Sequence, residues 1–226
     1  MDLKKICFIT CVNDKQKYKT ALNYINLIKN VEGIQVEKIC IDDARSMTEA
    51  YNRAMERTDA KYKVYMHQDV NILNKNFIYD VINIFKSNIN IGMIGMAGSK
   101  IIPKSGVYSQ SRFKYGNLMH IISPTGKKIY WKFGYFKNDY EKVKCIDGLM
   151  MITQYDIKWR EDLFTGWHFY DISQSMEFIK AGYDVVVPKM EKVWCVHNCK
   201  RHDHQTYKDY DKYREIFIER YMDYLE

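Results

Sequence analysis

The sequence is poor in chain-breaking residues and has no long apolar runs. Its 226 residues include only three prolines and 11 glycines, so long flexible linkers are not expected. No apolar run approaches the roughly 18 residues of a membrane-spanning helix, and Met1–Lys5 leads directly into a strand-like segment, not a signal peptide. We expect a cytoplasmic protein, with at most peripheral contact with the inner face of a membrane.

The six cysteines do not have the pattern of a disulfide framework. Four of the six cysteines lie in apolar runs, where a thiol is usually a small buried hydrophobe: Cys7, Cys11, Cys40 and Cys145. The other two belong to a Cys/His cluster made of Cys195, His197, Cys199, His202 and His204. Its C-x-H-x-C spacing lacks the paired C-x-x-C of structural zinc sites. Ligation by one or more of these histidines in a mixed carboxylate/His site is the favoured interpretation, and this set suits Mn²⁺.

The basic charge is concentrated in one stretch of the chain. The formal net charge is +7, yet Ser99–Lys144 alone carries ten Lys and Arg against only Asp139 and Glu141. Such a field attracts phosphates, nucleic acid or anionic lipid, although a solvated basic face is an equal alternative. Because Tyr, Phe, Trp and Gly are interspersed here, with a turn-like Pro124-Thr125-Gly126, residues 104–144 are predicted to form a small antiparallel insert.

Short apolar runs alternate with helical periodicity over the first hundred residues. The predicted strands cover residues 5–12, 35–41, 62–66 and 91–101. Ser46 and Glu49 have the spacing of a capping box at the start of the second helix. This alternation predicts an α/β fold with a mostly parallel central sheet and helices on both faces. A stripe of aromatic residues near the C-terminus predicts a packed helix and comprises Tyr207, Tyr210, Tyr213, Phe217 and Tyr221.

Polar residues follow each of the first three strands. They are Asn13-Asp14, Asp42-Asp43 and His67-Gln68-Asp69. Because ligands of such sheets bind outside the carboxyl ends of the strands, these residues favour a cation or phosphate–metal site over simple solvation. A second candidate is the aromatic loop Phe164–Asp171. Its carboxylate, Asp171, is either the N-cap of a helix or a general base at a sugar-binding surface, and both remain open.

Several common motifs are missing. Gly92, Gly95 and Gly98 do not have the G-x-G-x-x-G spacing of dinucleotide-binding folds. The chain also has no P-loop, no H-E-x-x-H and no G-x-S-x-G. ATPase and nucleophilic hydrolase functions therefore have little support.

Taken in order, six segments resemble the family 2-like glycosyltransferases with the GT-A (Rossmann-like) fold. The resemblance is to a bacterial subgroup in which H-Q-D-V stands in place of D-x-D. The segments are Ser46–Met55, Tyr65–Val70, Ile94–Ser99, Ile146–Gly148, Gly166–Asp171 and Trp194–Asn198. The resemblance implies a single GT-A domain over 1–226, with a nucleotide-binding half (1–101) and an acceptor-binding half (102–226).

The resemblance also implies roles for individual residues. Asp69 and His197 would bind a divalent cation, Mn²⁺ or Mg²⁺, while participation of His67 or Gln68 stays open. Asp171 would be the acceptor base, and Trp167 and His168 would contact the acceptor. The nucleotide sugar would be met by Asn13, Asp14, Asp42, Asp43, Asn52, Gln68, Asp147 and Gly148. For Asn52, capping of the local backbone is an equal alternative.

The implied activity is transfer of a hexose from a nucleotide sugar, UDP-linked in the expected case, to a hydroxyl of a glycan or lipid-linked acceptor, with inversion. Polysaccharide biosynthesis is the implied setting. One alternative is a nucleotidyltransferase that forms nucleotide sugars, but the glycine-rich phosphate loop expected after the first strand is absent. Another is a nucleic-acid-binding protein using the basic insert, which the acidic strand ends disfavour. An inactive member of the family is the third.

Overall fold

The computed structural model describes residues 1–199 and 209–226, which contain thirteen β-strands and five α-helices. The strands are β1 (Asp2–Cys11), β2 (Gln35–Ile41), β3 (Ala60–His67), β4 (Val70–Ile72), β5 (Ile91–Gly95), β6 (Ala97–Ser99), β7 (Lys114–Ile122), β8 (Lys127–Phe133), β9 (Tyr140–Val143), β10 (Cys145–Ile146), β11 (Met150–Thr153), β12 (Asp184–Pro188) and β13 (Cys195–His197). The helices are α1 (Lys15–Asn26), α2 (Met47–Glu56), α3 (Phe77–Ser87), α4 (Tyr170–Lys180) and α5 (Tyr210–Tyr221). None of these helices combines the length and apolar character that crossing a bilayer requires.

Seven strands form the larger sheet, in the order β2-β1-β3-β11-β5-β12-β9. Strands β2, β1, β3, β5 and β12 run in one direction, and β11 and β9 run against them. The expected mostly parallel sheet is therefore confirmed. The continuous strand predicted over 91–101 is wrong, because β5 lies in the larger sheet and β6 in a second one. The glycines on either side of this break allow close packing, since a Cβ on Gly95 would lie 2.5 Å from Ile146.

Helices cover both faces of the larger sheet, as expected. Phe8 of β1 packs on Phe77 of α3, with ring centroids 6.1 Å apart. Val64 of β3 pairs in register with Phe8, so its neighbour Tyr65 points to the opposite face. There Tyr65 packs on Tyr51 of α2, with ring centroids 4.9 Å apart.

The prediction that the aromatic stripe forms a packed helix near the C-terminus also holds. Three of its residues, Tyr213, Phe217 and Tyr221 of α5, are buried in a second core. Tyr207 lies outside the described residues.

The start of α2 has the N-cap that the sequence indicates. Ser46 Oγ accepts a hydrogen bond of 3.1 Å from the backbone N–H of Glu49. The carboxylate of Glu49 accepts from the backbone N–H of Arg45 at 3.0 Å, one residue before the position that a capping box uses. This interaction lowers the pKa of Glu49.

The second sheet contains β7 and β8 of the predicted insert, whereas its last strand, β9, lies at the edge of the larger sheet. The order of the second sheet is β10-β6-β7-β13-β4, and β8 pairs with β7 as an antiparallel hairpin. The insert is not isolated, because β7 also pairs in parallel with β13, which places His120 beside His197. On its other side β13 pairs with β4, which places His197 opposite Val70. This register brings the insert next to the end of β3.

Asn52 is buried, and its amide joins α2 to a segment 107 residues later. Its Oδ1 accepts from the backbone N–H of Trp159 at 2.9 Å. Its Nδ2 donates to the carbonyl of Trp159 at 3.0 Å and to Glu161 Oε2 at 2.9 Å. Asn52 thus supports a distant backbone segment and not the local backbone of the stated alternative, and its place in the nucleotide pocket stays a prediction.

Replacing Asn52 with alanine is expected to destabilise the protein by about 2–3 kcal/mol, because it leaves buried backbone groups unpaired. For a chain of this size that corresponds to a fall in Tm of roughly 4–10 °C. Thermal unfolding of Asn52→Ala would measure it, beside Asn83→Ala on the exposed side of α3 as a matched control. An unchanged Tm with weakened UDP binding would instead place Asn52 in the nucleotide pocket.

Candidate active site

A cleft of about 460 Å³ opens between the second sheet and the loop that precedes α4. Six of the predicted site residues line it: Asp147, Gly148, Trp167, His168, Asp171 and His197. The insert contributes His120 and Trp131, and the end of β3 contributes His67. The residues predicted for the base, for acceptor binding and for one metal ligand thus share one cavity.

Asp69 does not line the cleft itself but contacts His197, which does. The Nε2 atom of His197 lies 3.2 Å from Asp69 Oδ1, and His67 completes a group whose ligand atoms all lie within 4.8 Å of one another. Two imidazoles and a carboxylate are a donor set that suits Mn²⁺ and similar divalent ions. Of the two side chains whose participation the sequence leaves open, His67 belongs to this group, whereas the amide of Gln68 bonds to Asn13 and Asp14.

The charge state of this group is set by its burial and by its own members. Burial and the neighbouring His197 lower the pKa of His67 to about 4. Burial alone would raise the pKa of Asp69, but hydrogen bonds from His197 and Lys17 and the nearby charges hold it well below its usual range. A carboxylate and a neutral imidazole are the forms in which these side chains bind metal.

Gln68 shapes the loop between β1 and α1. Its Oε1 accepts from the backbone N–H groups of Asn13 and Asp14 at 2.9 and 2.8 Å, and its Nε2 donates to Asn13 Oδ1. Asp14 is the N-cap of α1 and accepts from the N–H of Lys17 at 3.1 Å. These contacts place Lys17 Nζ 2.9 Å from Asp69 Oδ2. Lys17 was not among the predicted residues.

Two predicted residues stand at the end of β2, apart from the cleft. Asp43 is exposed and forms an ion pair of 2.8 Å with Arg53. Asp42 is also exposed and lies 4.0 Å from Lys15. The larger sheet therefore presents both carboxylates at the edge where Asn13 and Asp14 lie, without joining them to the metal-binding group.

Asp171 lies in the first turn of α4, and its interpretation as a helix N-cap is wrong. The N-cap position belongs to Phe169, whose φ of 61° is left-handed. Asp171 Oδ2 instead accepts from the backbone N–H of Gly148 at 2.9 Å. Burial and the nearby charge of Asp147 raise the pKa of Asp171 to about 7. A carboxyl group with this pKa is suited to general base catalysis near neutral pH.

Two tyrosines that the sequence did not single out hold this arrangement together. The hydroxyl of Tyr108 donates to Asp147 Oδ2. The hydroxyl of Tyr170 lies 2.5 Å from His67 Nε2. A Cβ on Gly148 would lie 2.2 Å from that hydroxyl, so only glycine allows Tyr170 to reach His67. No periodicity or spacing marks these tyrosines, because their partners are far along the chain.

The Cys/His cluster separates into two parts. Cys195 is buried in the main core. His197 and Cys199 instead form a second group with His120 of β7, whose ligand atoms also lie within 4.8 Å of one another. His202 and His204 lie outside the described residues.

The mixed α/β architecture is the GT-A fold of glycosyltransferases, because solved structures of such enzymes share it. The sequence agrees, because the model of a family described as "Glycosyltransferase like family" matches residues 7–221. The chain belongs to this family. The finer resemblance to an H-Q-D-V subgroup stays a prediction.

Solved structures with this fold include three glycosyltransferases crystallised with a nucleotide or a nucleotide sugar. GalNAc-T7 with UDP, GalNAc and Mn²⁺ has a TM-score of 0.58 at 7 % identity, over 90 % of this chain and 45 % of that one. The mannosyltransferase PcManGT from Pyrobaculum calidifontis, with GDP-Man and Mn²⁺, gives 0.56 at 8 %, over 90 % and 59 %. TarS 1–349 of S. aureus with UDP-GlcNAc gives 0.55 at 10 %, over 95 % and 64 %.

At these identities the likeness shows a shared fold. The chain spans about half to two thirds of the length of these solved structures. A search of curated protein sequences found no match.

Proposed function

We propose that the protein is a metal-dependent glycosyltransferase that moves a sugar from a UDP-sugar to a hydroxyl group of a glycan or lipid-linked acceptor. The observation that carries this proposal is the placement of the His67–Asp69–His197 group and of Asp171 around one cleft, in a chain of this family. Polysaccharide synthesis at the inner face of a membrane is part of the proposal.

On the donor side, His67, Asp69 and His197 would hold a divalent cation, Mn²⁺ or Mg²⁺. Such an ion supplies positive charge for the leaving diphosphate of a nucleotide sugar. Lys17, 2.9 Å from Asp69, provides a second positive charge on the same side. Solved structures of this fold bind UDP, UDP-GlcNAc or GDP-Man, which supports a nucleotide sugar as donor.

On the acceptor side, Asp171 would take the proton of the attacking hydroxyl. The hydroxyl oxygen forms a bond to the anomeric carbon as the bond from that carbon to the diphosphate breaks, which inverts the configuration. Trp167 is 48 % exposed at the cleft and offers a flat apolar face for a sugar ring. Trp131 of the insert lines the same cleft.

The basic insert would lie beside this acceptor. Lys127, Lys128 and Lys132 of β8 are exposed, as is the ring of Tyr130. A phosphate-bearing acceptor or an anionic membrane surface is the partner that this charge would favour.

Calorimetric titration with UDP tests the donor site. We expect UDP to bind at least about tenfold more tightly in the presence of Mn²⁺ than in the presence of a metal chelator, because the cation attracts the negatively charged diphosphate. ADP and a single-stranded RNA serve as controls. Absence of binding by every nucleoside diphosphate would overturn the proposal, and RNA binding that weakens steeply with salt would favour the nucleic-acid alternative.

A further inference from the structure

Three side chains of types that bind metal meet at the junction of β7 and β13. The proposed mechanism gives a role to one of them, His197, and none to the other two. His120 comes from β7, His197 from β13 and Cys199 from the segment just after it. Their ligand atoms lie within 4.8 Å of one another, and the two imidazole centroids are 5.4 Å apart. Parallel pairing of His120 with His197 fixes this juxtaposition in the backbone.

One distance within this group matches metal coordination. Cys199 Sγ lies 3.7 Å from His120 Nδ1. Zinc bonds of about 2.3 Å to sulfur and about 2.0–2.1 Å to nitrogen, at a tetrahedral angle, separate the two ligand atoms by about 3.5–3.6 Å. The pair therefore needs little movement to share an ion. A weak S–H hydrogen bond has a similar length, but it does not account for the second imidazole, His197, in the same group.

His120 is buried and held in a fixed position. Its side chain is only 9 % exposed, and its Nε2 atom has no hydrogen-bond partner among the described residues. The ring is held against Trp131, with centroids 4.3 Å apart. Nδ1 is the ring nitrogen that faces the thiol of Cys199, and the packing on Trp131 keeps it there.

The chemistry of these ligands differs from that of the Asp69 group. A thiolate with two imidazoles is a soft set that binds Zn²⁺ in preference to Mg²⁺ or Mn²⁺. The group of His67, Asp69 and His197 contains a hard carboxylate in place of the thiolate. His197 belongs to both.

We propose that His120, His197 and Cys199 form a zinc site beside the Asp69 group, and that zinc bound there takes His197 away from that group. Zinc bound there therefore weakens the binding of the divalent ion at the donor site. This antagonism rests on the proposed function, whereas the zinc site itself does not.

Cobalt(II) is the probe that tests the zinc site without any assay of activity. Tetrahedral Co²⁺ bound to a thiolate has a charge-transfer absorption that Co²⁺ bound only to nitrogen and oxygen lacks. We expect the wild-type protein to show this band and to lose it when Zn²⁺ is added. Cys199→Ser should lack the band, whereas Cys40→Ser, which removes a thiol from β2, should keep it. His120→Gln should weaken Zn²⁺ binding at least tenfold.

The Asp69→Asn variant distinguishes two sites from one. It should keep the thiolate band, because Asp69 is not a ligand of the zinc site. Absence of the band in the wild type, its persistence in a folded Cys199→Ser variant, or its loss in a folded Asp69→Asn variant would each overturn the proposal. Circular dichroism of every variant separates loss of a ligand from loss of the fold.

Antagonism is then read from UDP binding. Zn²⁺ should raise the Mn²⁺ concentration needed for UDP binding at least tenfold in the wild type, and less than threefold in Cys199→Ser. An equal shift in both proteins would overturn the antagonism. If UDP does not bind at all, the proposed function fails, while the Co²⁺ band still decides the zinc site.

Discussion

Replacing Asp69 with asparagine is expected to abolish the Mn²⁺ dependence of UDP binding and to lower sugar transfer at least about 100-fold. Asparagine keeps the size of the side chain but removes the negative charge that binds a hard cation. The carboxylate now lies 3.2 Å from His197 Nε2 and 2.9 Å from Lys17 Nζ. In the variant both partners remain, so the loss would report the charge of Asp69 itself.

The matched control is Asp139→Asn, which removes an exposed carboxylate that does not line the cleft. It should leave UDP binding and transfer within twofold of the wild type. Thermal unfolding of both variants shows whether the fold is retained. If a folded Asp69→Asn protein still requires Mn²⁺ for UDP binding, the ion is held by other residues and the donor site has been misplaced.

The local elements of the fold were readable because their signals are local. Helix α2 begins after Ser46, as its hydroxyl and the spacing to Glu49 indicate. Strand β2 covers Gln35–Ile41, the range that its apolar pattern predicts. In both cases the residues that determine the element are contained within it.

Strand order was not readable from the same pattern. Strand β11 is buried along its whole length and lies antiparallel between β3 and β5. A run of apolar residues shows that a strand is covered on both faces, but it carries no direction and does not name its neighbours. The break between β5 and β6 was missed for a related reason, since it depends on β10 packing against Gly95 and Gly98.

The candidate site likewise contains residues that the sequence indicates and residues that it does not. The resemblance to a family placed Asp69 and His197 in one site, and the structure has them in contact. His120 was missed because a histidine inside a strand looks like any other strand residue until the partner strand is known. The sequence does not decide the role of Asn52 for a similar reason, because its partner Trp159 lies 107 residues away.

Asp171→Asn is expected to lower kcat about 10²–10⁴-fold, the range that general base catalysis contributes, and to leave UDP binding within threefold. In the wild type, kcat/KM should rise with pH through about 7, because burial and the charge of Asp147 raise the pKa of Asp171 to about 7 and only the carboxylate can accept a proton. The asparagine variant should lose this rise. A pH–rate profile of both proteins with a UDP-sugar donor checks it.

The same carboxyl group predicts an opposite effect on stability. The pKa of Asp171 is higher in the folded protein, about 7, than its ordinary value of 3.8. The folded state therefore binds this proton more tightly than the unfolded state, and its contribution to stability is present at low pH and is lost as pH rises from about 4 to 7. Asp171→Asn removes that loss, since an amide oxygen still accepts from the N–H of Gly148.

The variant should consequently be less active and more stable, with a Tm advantage that is absent near pH 4, grows up to pH 7 and is level above it. Thermal unfolding at several pH values measures this advantage directly. A Tm difference that does not change with pH would show that the raised pKa of Asp171 is not its cause. Lower activity together with higher stability is the result expected of a general base that is held at a cost to the fold. Replacement of a residue that serves packing would instead lower stability at every pH.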